Sequence, residues 1–536
     1  MTHQNSRWAR VLMAVAAALT AAAVYGGSLP PLPSVEATSS ITAVDLKRHL
    51  SFLASDELGG RYTLSPSNRI AARYLASQLE SYGYRGAARD GSFLQKVPLN
   101  FTSVDLPKSK LTLNGGATKQ EFKYADDFNT MPAASVDVSG NLVFVAYGVC
   151  SPNNKYDDYA GLDVKGKIIV VVSGFPSSLA GVRLNDSETG SDAAAAHGAV
   201  GAIIITSPQY LLMWDQLKNA ATRDEQLGLP PHKSAAHSEE FPAVNAGPRL
   251  IKALARLMGK EESYLMQPNG KPLQPSPIAA AAEIKVSVGG KKAPPAQNVA
   301  GILEGSDPKL KDEYVVFSAH YDHLQSEPNG EVYNGADDDG SGTVSVLEIA
   351  QAFALGPRPP RSVLIIFHTG EELGLFGSEF NTDYEPVVPL RKLVVDFNID
   401  MVGRSRPEGD DDPRDRMLTD KNSIYIIGAD KLSTELNQIN EQTNAETARL
   451  RFDYTYNPES HPERFYYRSD HYNYAKHGIP VIFFFTGVHR DYHRTTDDVD
   501  KIDFVKMERI DRMIFAVGWR VASLDHRLVV DKKPAP

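Results

Sequence analysis

The sequence predicts an α/β fold: a mostly parallel central sheet flanked by helices, with a small β-rich domain set into it. Three observations carry this. Five apolar, β-branched runs in the C-terminal half ("EYVVFSA", "RSVLIIF", "KLVVDFNI", "SIYIIGA" and "IPVIFFF") are too continuous for half-exposed strands and read as strands buried on both faces. Helical patterns such as "GTVSVLEIAQAFAL" separate several of them, the alternation that parallel sheets require. A block of different texture, beginning near residue 132, interrupts the pattern. With 536 residues the chain has room for two or three domains, and 42% hydrophobic content is that of a globular protein.

The elements follow in order. Arg7 and Arg10 precede the apolar run Val11–Val24 and a Gly/Pro/Ser-rich exit, so residues 1–27 read as a secretory signal peptide, with an uncleaved anchor as the alternative. The body is then expected to be secreted or periplasmic. Residues 41–131 read as the N-terminal part of the main domain. "AVDLKRHLSFLA" is one amphipathic stretch. "SPSNRIAARYLASQLESYG" is a second, started by Pro66 and stopped by Gly83, with Ile70, Tyr74, Leu75, Leu79 and Tyr82 on one face. In the 132–266 block, "NLVFVAYGV", "GKIIVVVSG" and "GAVGAIIIT" are short buried strands bounded by Gly, Asn and Asp. The main domain resumes over 282–526. It closes on a helix whose apolar face is Met507, Ile510, Ile514, Val517 and Val521.

Composition narrows the function. A net charge of −10 with no basic run argues against nucleic acid as a main partner. The single cysteine, Cys150, excludes an intrachain disulfide and is read as a small buried hydrophobe rather than a reactive thiol. No segment after the N-terminal run reads as a membrane span.

Chemistry is sought at the carboxyl ends of the strands, where α/β sheets bind ligands. After the first run comes "HYDHL", with His320, Asp322 and His323. Then follows "NGADDDGSG", with Asp337, Asp338 and Asp339. "HTGEELG" brings His368, Glu371 and Glu372, and "IDMVG" brings Asp400. "HRDYHR" brings His489, Tyr492 and His493. A lone His or Asp in a loop is ordinarily solvated; several in succession, each just past a buried strand, are not coincidence. Carboxylates and imidazoles without thiolates suit zinc, and also manganese or cobalt. Two histidines and three carboxylates can hold two ions, with one carboxylate shared. G-x-S-x-G is absent, so no serine nucleophile elbow is expected. Spacing alone leaves Glu371 and Glu372 interchangeable.

The ordered set "HYD", "GADDDGSG", "GEELGLFGS", "NIDMVG", "SDH…GIP" and "YH" resembles the M28 family of zinc exopeptidases. "DDYAGLDVKGKIIVV" followed by "AAAAHGAVGAIII" resembles a protease-associated (PA) domain, which several such enzymes carry. The resemblance implies a dizinc metallo-aminopeptidase acting on peptides through a hydroxide between its ions. His320, Asp338, Glu372, Asp400 and His493 match the metal ligands, Asp338 being the shared one. Glu371 matches the general base, and Tyr492 the donor to the oxyanion. Asp322 matches the acid that orients His320. Asp470 and His471 match a signature read here as site wall. A non-proline cis peptide after Asp338 is also implied. His323, His368 and His489 match no ligand position and read as structural. A metallocarboxypeptidase of the same fold is the first alternative, since Arg404 and Arg468 flank the motifs. A glutaminyl cyclase and a non-catalytic binding protein on the same scaffold are the others.

Overall fold

The computed structural model describes residues 29–533, apart from 117, 131–134, 180–181, 183, 185–187, 216–217, 219–221, 223–224, 231–240, 267–271 and 460. The segment read as a signal peptide lies outside the described residues. Among those described, no helix is long and apolar enough to cross a membrane. The chain divides into two compact units, one built from residues up to 97 and from 295 onward, the other from 98–294.

In the first unit the main elements are α1 (Ala43–Leu53), α2 (Pro66–Ser81), β1 (Ala296–Leu303), β2 (Tyr314–His320), α3 (Gly342–Leu355), β3 (Ser362–His368), β4 (Leu393–Ile399), β5 (Ser423–Ile427), α4 (Thr434–Glu446), β6 (Val481–Phe485) and α5 (Phe504–Ala522). They form a nine-stranded sheet whose main order is β1-β3-β2-β4-β6-β5. The four middle strands are parallel, and the five apolar runs of the C-terminal half all lie in this sheet. Antiparallel pairing enters at both flanks, where β1 meets β3 and β5 meets β6. Antiparallel flanking strands are common on doubly wound sheets.

Alternation along β2 splits the core. Val315, Phe317 and Ala319 belong to one apolar cluster with α1, α3 and α5, whereas Tyr314 and Val316 belong to the cluster on the opposite face. Helix α5 buries all five residues read as its apolar face. It passes so close to the sheet that a Cβ on Gly518 would lie 2.2 Å from Phe317 Cζ. Helix α2 is turned from the expected face: Ile70 is 52% exposed, and Ala71, Ala72, Leu75 and Leu79 face inward. Small alanines let the helix approach β1 closely, and the bulkier Ile70 falls outside the contact. Both α1 and α2 start on hydroxyl caps, Thr42 and Ser65, and Pro66 occupies the first turn of α2.

One buried cation locks the N-terminal segment to the site loops. The Arg61 guanidinium donates to the carbonyls of Leu53, Tyr321, Asn334 and Gly335 at 2.6–3.0 Å.

The second unit holds an eight-stranded sheet, in which 136–144, 168–172, 201–205 and 243–246 run parallel side by side. Strands 110–115, 118–123, 128–129 and 276–286 complete it, so the unit is wider than the 132–266 block read from the sequence. The three longer ones carry solvent-facing polar positions, which hides them beside the apolar runs they pair with.

Candidate metal centre

The expected ligands converge at the carboxyl ends of the parallel strands. His320 is the last residue of β2, paired in register with His368 at the end of β3, and Asp400 directly follows β4. His320 Nε2 stands 3.4 Å from Asp338 Oδ1, 3.7 Å from Asp400 Oδ1 and 3.8 Å from Glu371 Oε2. The other oxygen of Asp338 stands 3.0 Å from His493 Nε2, which is also 3.1 Å from Glu372 Oε2. Asp338 thus presents one carboxylate oxygen to each of two imidazoles.

The acidic run "ADDD" divides its labour by the way the backbone turns. The Asp338–Asp339 peptide is cis, as the resemblance implies. Asp337 Oδ1 accepts from the Gly403 amide at 2.6 Å, and its other oxygen lies 3.2 Å from His489 Nε2. Asp339 Oδ1 accepts from the amides of Gly342 and Met401. Asp497 Oδ2 accepts from the amides of Asp337 and Asp338, fixing the turn from outside. The flanking acids therefore tie the loop down, and Asp338 alone faces both imidazoles.

Glu371 and Glu372 sit in a tight turn, with the Gly374 and Leu375 amides donating back to the Glu371 carbonyl. Gly370, at φ +72°, lets the chain leave the strand there. Glu372 Oε1 meets His323 Nδ1 at 2.7 Å. Glu371 turns its carboxylate toward the cleft. Burial, with the charges of Glu372, Asp400 and Asp470 adding to it against the pull of His320, raises its proton affinity well above the usual carboxylate range.

Asp322 stands behind the His320 ring, nearer to it through its main-chain carbonyl than through its carboxylate. His320 Nδ1 is 3.1 Å from the main-chain carbonyl of Asp322, and the Asp322 carboxylate is 3.8 Å away. That carboxylate instead accepts from Thr63 Oγ1 at 2.8 Å and from the Glu371 amide at 3.3 Å. The carbonyl two residues on reaches the ring first, which frees the side chain to anchor the Glu371 turn.

A cleft of about 370 Å³ opens beside these groups, lined by His320, Asp338, Glu371, Asp400 and Tyr492 on its polar side. Met401, Phe465, Phe483, Phe485 and Val488 make the opposite wall, with Arg468 at its edge. Burial first, and then the charges of Asp338, Glu372 and Glu371, push the Tyr492 hydroxyl far up, so it is a proton donor at neutral pH. Arg404 is unavailable to a ligand, since it is buried against Asp491 at 2.9 Å. Asp470 and His471 are buried behind the wall, His471 stacked on Phe483 with centroids 4.7 Å apart. Their neighbour Ser469 donates to Asp400 Oδ2 at 2.7 Å. Sequence reasoning missed Ser469, Thr63 and Asp497, and it read His323, which meets Glu372, as structural. Only Ser469 carried a signal, its place beside the "SDH" signature.

The donor set fits divalent ions. His320, Asp339 and Asp400 offer ligand atoms within 4.8 Å of one another, and so do His323, Asp338 and Glu372. Asp338 Oδ2 and Asp339 Oδ2 are buried without a hydrogen bond. Two imidazoles and four carboxylates are hard-to-borderline donors, suited to zinc, manganese or cobalt.

Residues 298–518 match the model of "Peptidase family M28", and residues 115–247 match that of "PA domain". The aminopeptidase YwaD of Bacillus subtilis is 26% identical over 243 residues, 44% of this chain and 47% of that protein. A probable leucine aminopeptidase of Arthroderma otae is 25% identical over 235 residues, 42% of this chain and 57% of that protein. The chain thus spans about half the length of the curated relatives it matches. Among solved structures, an aminopeptidase from Aneurinibacillus sp. strain AM-1 is similar with a TM-score of 0.44 and 21% identity, over 93% of this chain and 99% of that one.

Proposed function

We propose, from the premise that this chain belongs to peptidase family M28 through residues 298–518 and carries a PA domain at 115–247, that it is a dizinc aminopeptidase releasing N-terminal residues from peptides. The observation that carries the reading is Asp338 set between His320 and His493, with Glu371 unengaged beside it and facing the cleft. His320 and Asp400 would hold one ion, Glu372 and His493 the other, and Asp338 both. When bound, such a pair supplies an acidified water and polarises the scissile carbonyl.

The chain's own residues do the rest. Glu371 takes the proton of the attacking water and carries it to the leaving amine nitrogen as the C–N bond breaks. Tyr492 keeps its hydroxyl proton and donates toward the oxygen on which charge develops. Ser469 holds Asp400 in place. The wall of Phe465, Phe483, Phe485 and Val488 would take an apolar first side chain and keep water out of the cleft. The composition of residues 7–27 supports export from the cytoplasm.

The test is Glu371→Gln. It is expected to keep its zinc, counted by elemental analysis, and to lose about 10²–10⁴-fold in kcat on a leucine anilide. Undiminished turnover would remove Glu371 as the base. Arg468 at the cleft edge favours the carboxypeptidase as second reading, since an arginine pairs with a terminal carboxylate. Hydrolysis of an acidic C-terminal dipeptide in preference to the anilide would establish that reading instead, and cyclisation of an N-terminal glutamine peptide would mark a glutaminyl cyclase.

A further inference from the structure

A further group of side chains of metal-ligating type lies in the 98–294 unit: Cys150, Asp157 and His197, whose ligand atoms are all within 4.8 Å of one another. The sequence reads Cys150 as a buried hydrophobe, yet it is only half-buried. Cys150 and Asp157 are direct partners across the short antiparallel pair Cys150–Ser151 and Tyr156–Asp157, which sets their side chains on one face. His197 caps the C-terminal end of the helix Gly190–Ala196.

Two of the three donors, His197 and Asp157, are held from outside the group. The His197 ring stacks on Tyr159, with centroids 4.1 Å apart and planes 8° from parallel. Its Nδ1 lies 2.8 Å from the Ala193 carbonyl. A proton donated there fixes the tautomer and leaves the lone pair on Nε2, as in metal-ligating histidines whose second nitrogen bonds a carbonyl. Asp157 Oδ1 accepts from the Tyr159 amide at 2.8 Å. A fourth donor stands close by: Glu188 is held by Ser151 Oγ at 2.6 Å, and its charge, with that of Asp157, acts on the thiol. Nucleophilic cysteines have cationic neighbours. These two neighbours are anions, which a dication would offset.

We propose that Cys150, Asp157 and His197 form a metal site separate from the cleft, binding zinc or cobalt with Glu188 or water as fourth ligand. Thiolate, imidazole and carboxylate are the donors that zinc takes. Bonds of about 2.0–2.3 Å put tetrahedral donors about 3.5 Å apart, within reach of side-chain rotation. An ion there would tie the hairpin to the helix end and so brace this unit.

The single cysteine makes the test specific. No thiol lies in the cleft, so a thiolate-to-cobalt charge-transfer band in the full-length, cobalt-substituted protein can come only from Cys150. The band is expected to saturate at the intensity of one thiolate-bound cobalt per chain, in addition to the cobalt taken up by the cleft. It should vanish in Cys150→Ser and weaken at least tenfold in cobalt affinity in His197→Gln, with hydrolysis of the leucine anilide unchanged in both. No band in the wild-type protein at saturating cobalt, or a band untouched by His197→Gln, overturns the site. A second measurement needs no variant. Zinc should slow alkylation of Cys150 by iodoacetamide at least tenfold relative to the chelated protein, whereas rapid alkylation with and without zinc marks a reactive thiol and overturns it equally.

Discussion

Between Glu371 and Glu372 the chain changes partners within one peptide bond. Glu372 has its oxygens on His323 and His493, while Glu371 lines the cleft with its amide tied to Asp322. Spacing alone identified both acids but left them interchangeable, and only the resemblance told them apart, because the bonds that separate them come from residues 322, 323 and 493. Such partners, remote in sequence, carry no periodicity. Ser469 is the same kind of residue, and Ser469→Ala is expected to weaken zinc at the Asp400 position about 10–100-fold, read by competition with a chelator, with activity regained in excess zinc. Two other buried rings make a pH prediction. Burial pushes His471 and His368 down to about 3, against about 6.5 in the unfolded chain. The fold keeps them neutral, so the unfolded chain binds more protons between those values and stability falls as pH drops below 6.5. By pH 5 each contributes a loss of about 2 kcal/mol. The melting temperature should therefore fall between pH 7 and pH 5, and less so in His471→Phe, which retains the stacking on Phe483. An equal fall in that variant would refute the assignment.

At the level of elements, what was legible were the strands that are apolar throughout and the residues just beyond them. Burial on both faces writes itself into composition, and the strand ends then place the ligands. Strands β1, 110–115 and 276–286 were less legible because part of each is polar or small, and because their partners are distant. The loops after β2 depend on Arg61, whose burial lowers its pKa even though Asp322, Asp339 and Asp497 lie near enough to raise it. Arg61→Met would take the guanidinium from four carbonyls, of which Gly335 keeps the Gly340 amide as a donor. We expect a loss of about 3–5 kcal/mol in denaturant unfolding. A loss under 1 kcal/mol would mean that the loops find other donors.

Over the whole molecule, each unit has its own apolar clusters, two in the first and two in the second. Calorimetry of the metal-loaded chain is expected to resolve two unfolding transitions. In Cys150→Ser, chelation should lower only the transition of the unit that holds His320, since ions bound by a native state raise that state's stability alone. A single transition moving as one would show that the units unfold together. The Arg61 clamp has a bearing on synthesis as well. Its carbonyl partners at 321, 334 and 335 leave the ribosome only after the roughly 200 residues of the other unit. At about 5–20 residues per second, that is on the order of 10–40 s. Throughout that interval α1 and α2 have no sheet to cover, and by its end the unit encoded between them and their partners is complete. The order in which this protein matures is therefore inside-out along its own message, and whatever shelters nascent apolar helices in the cell has its longest task at the first hundred residues.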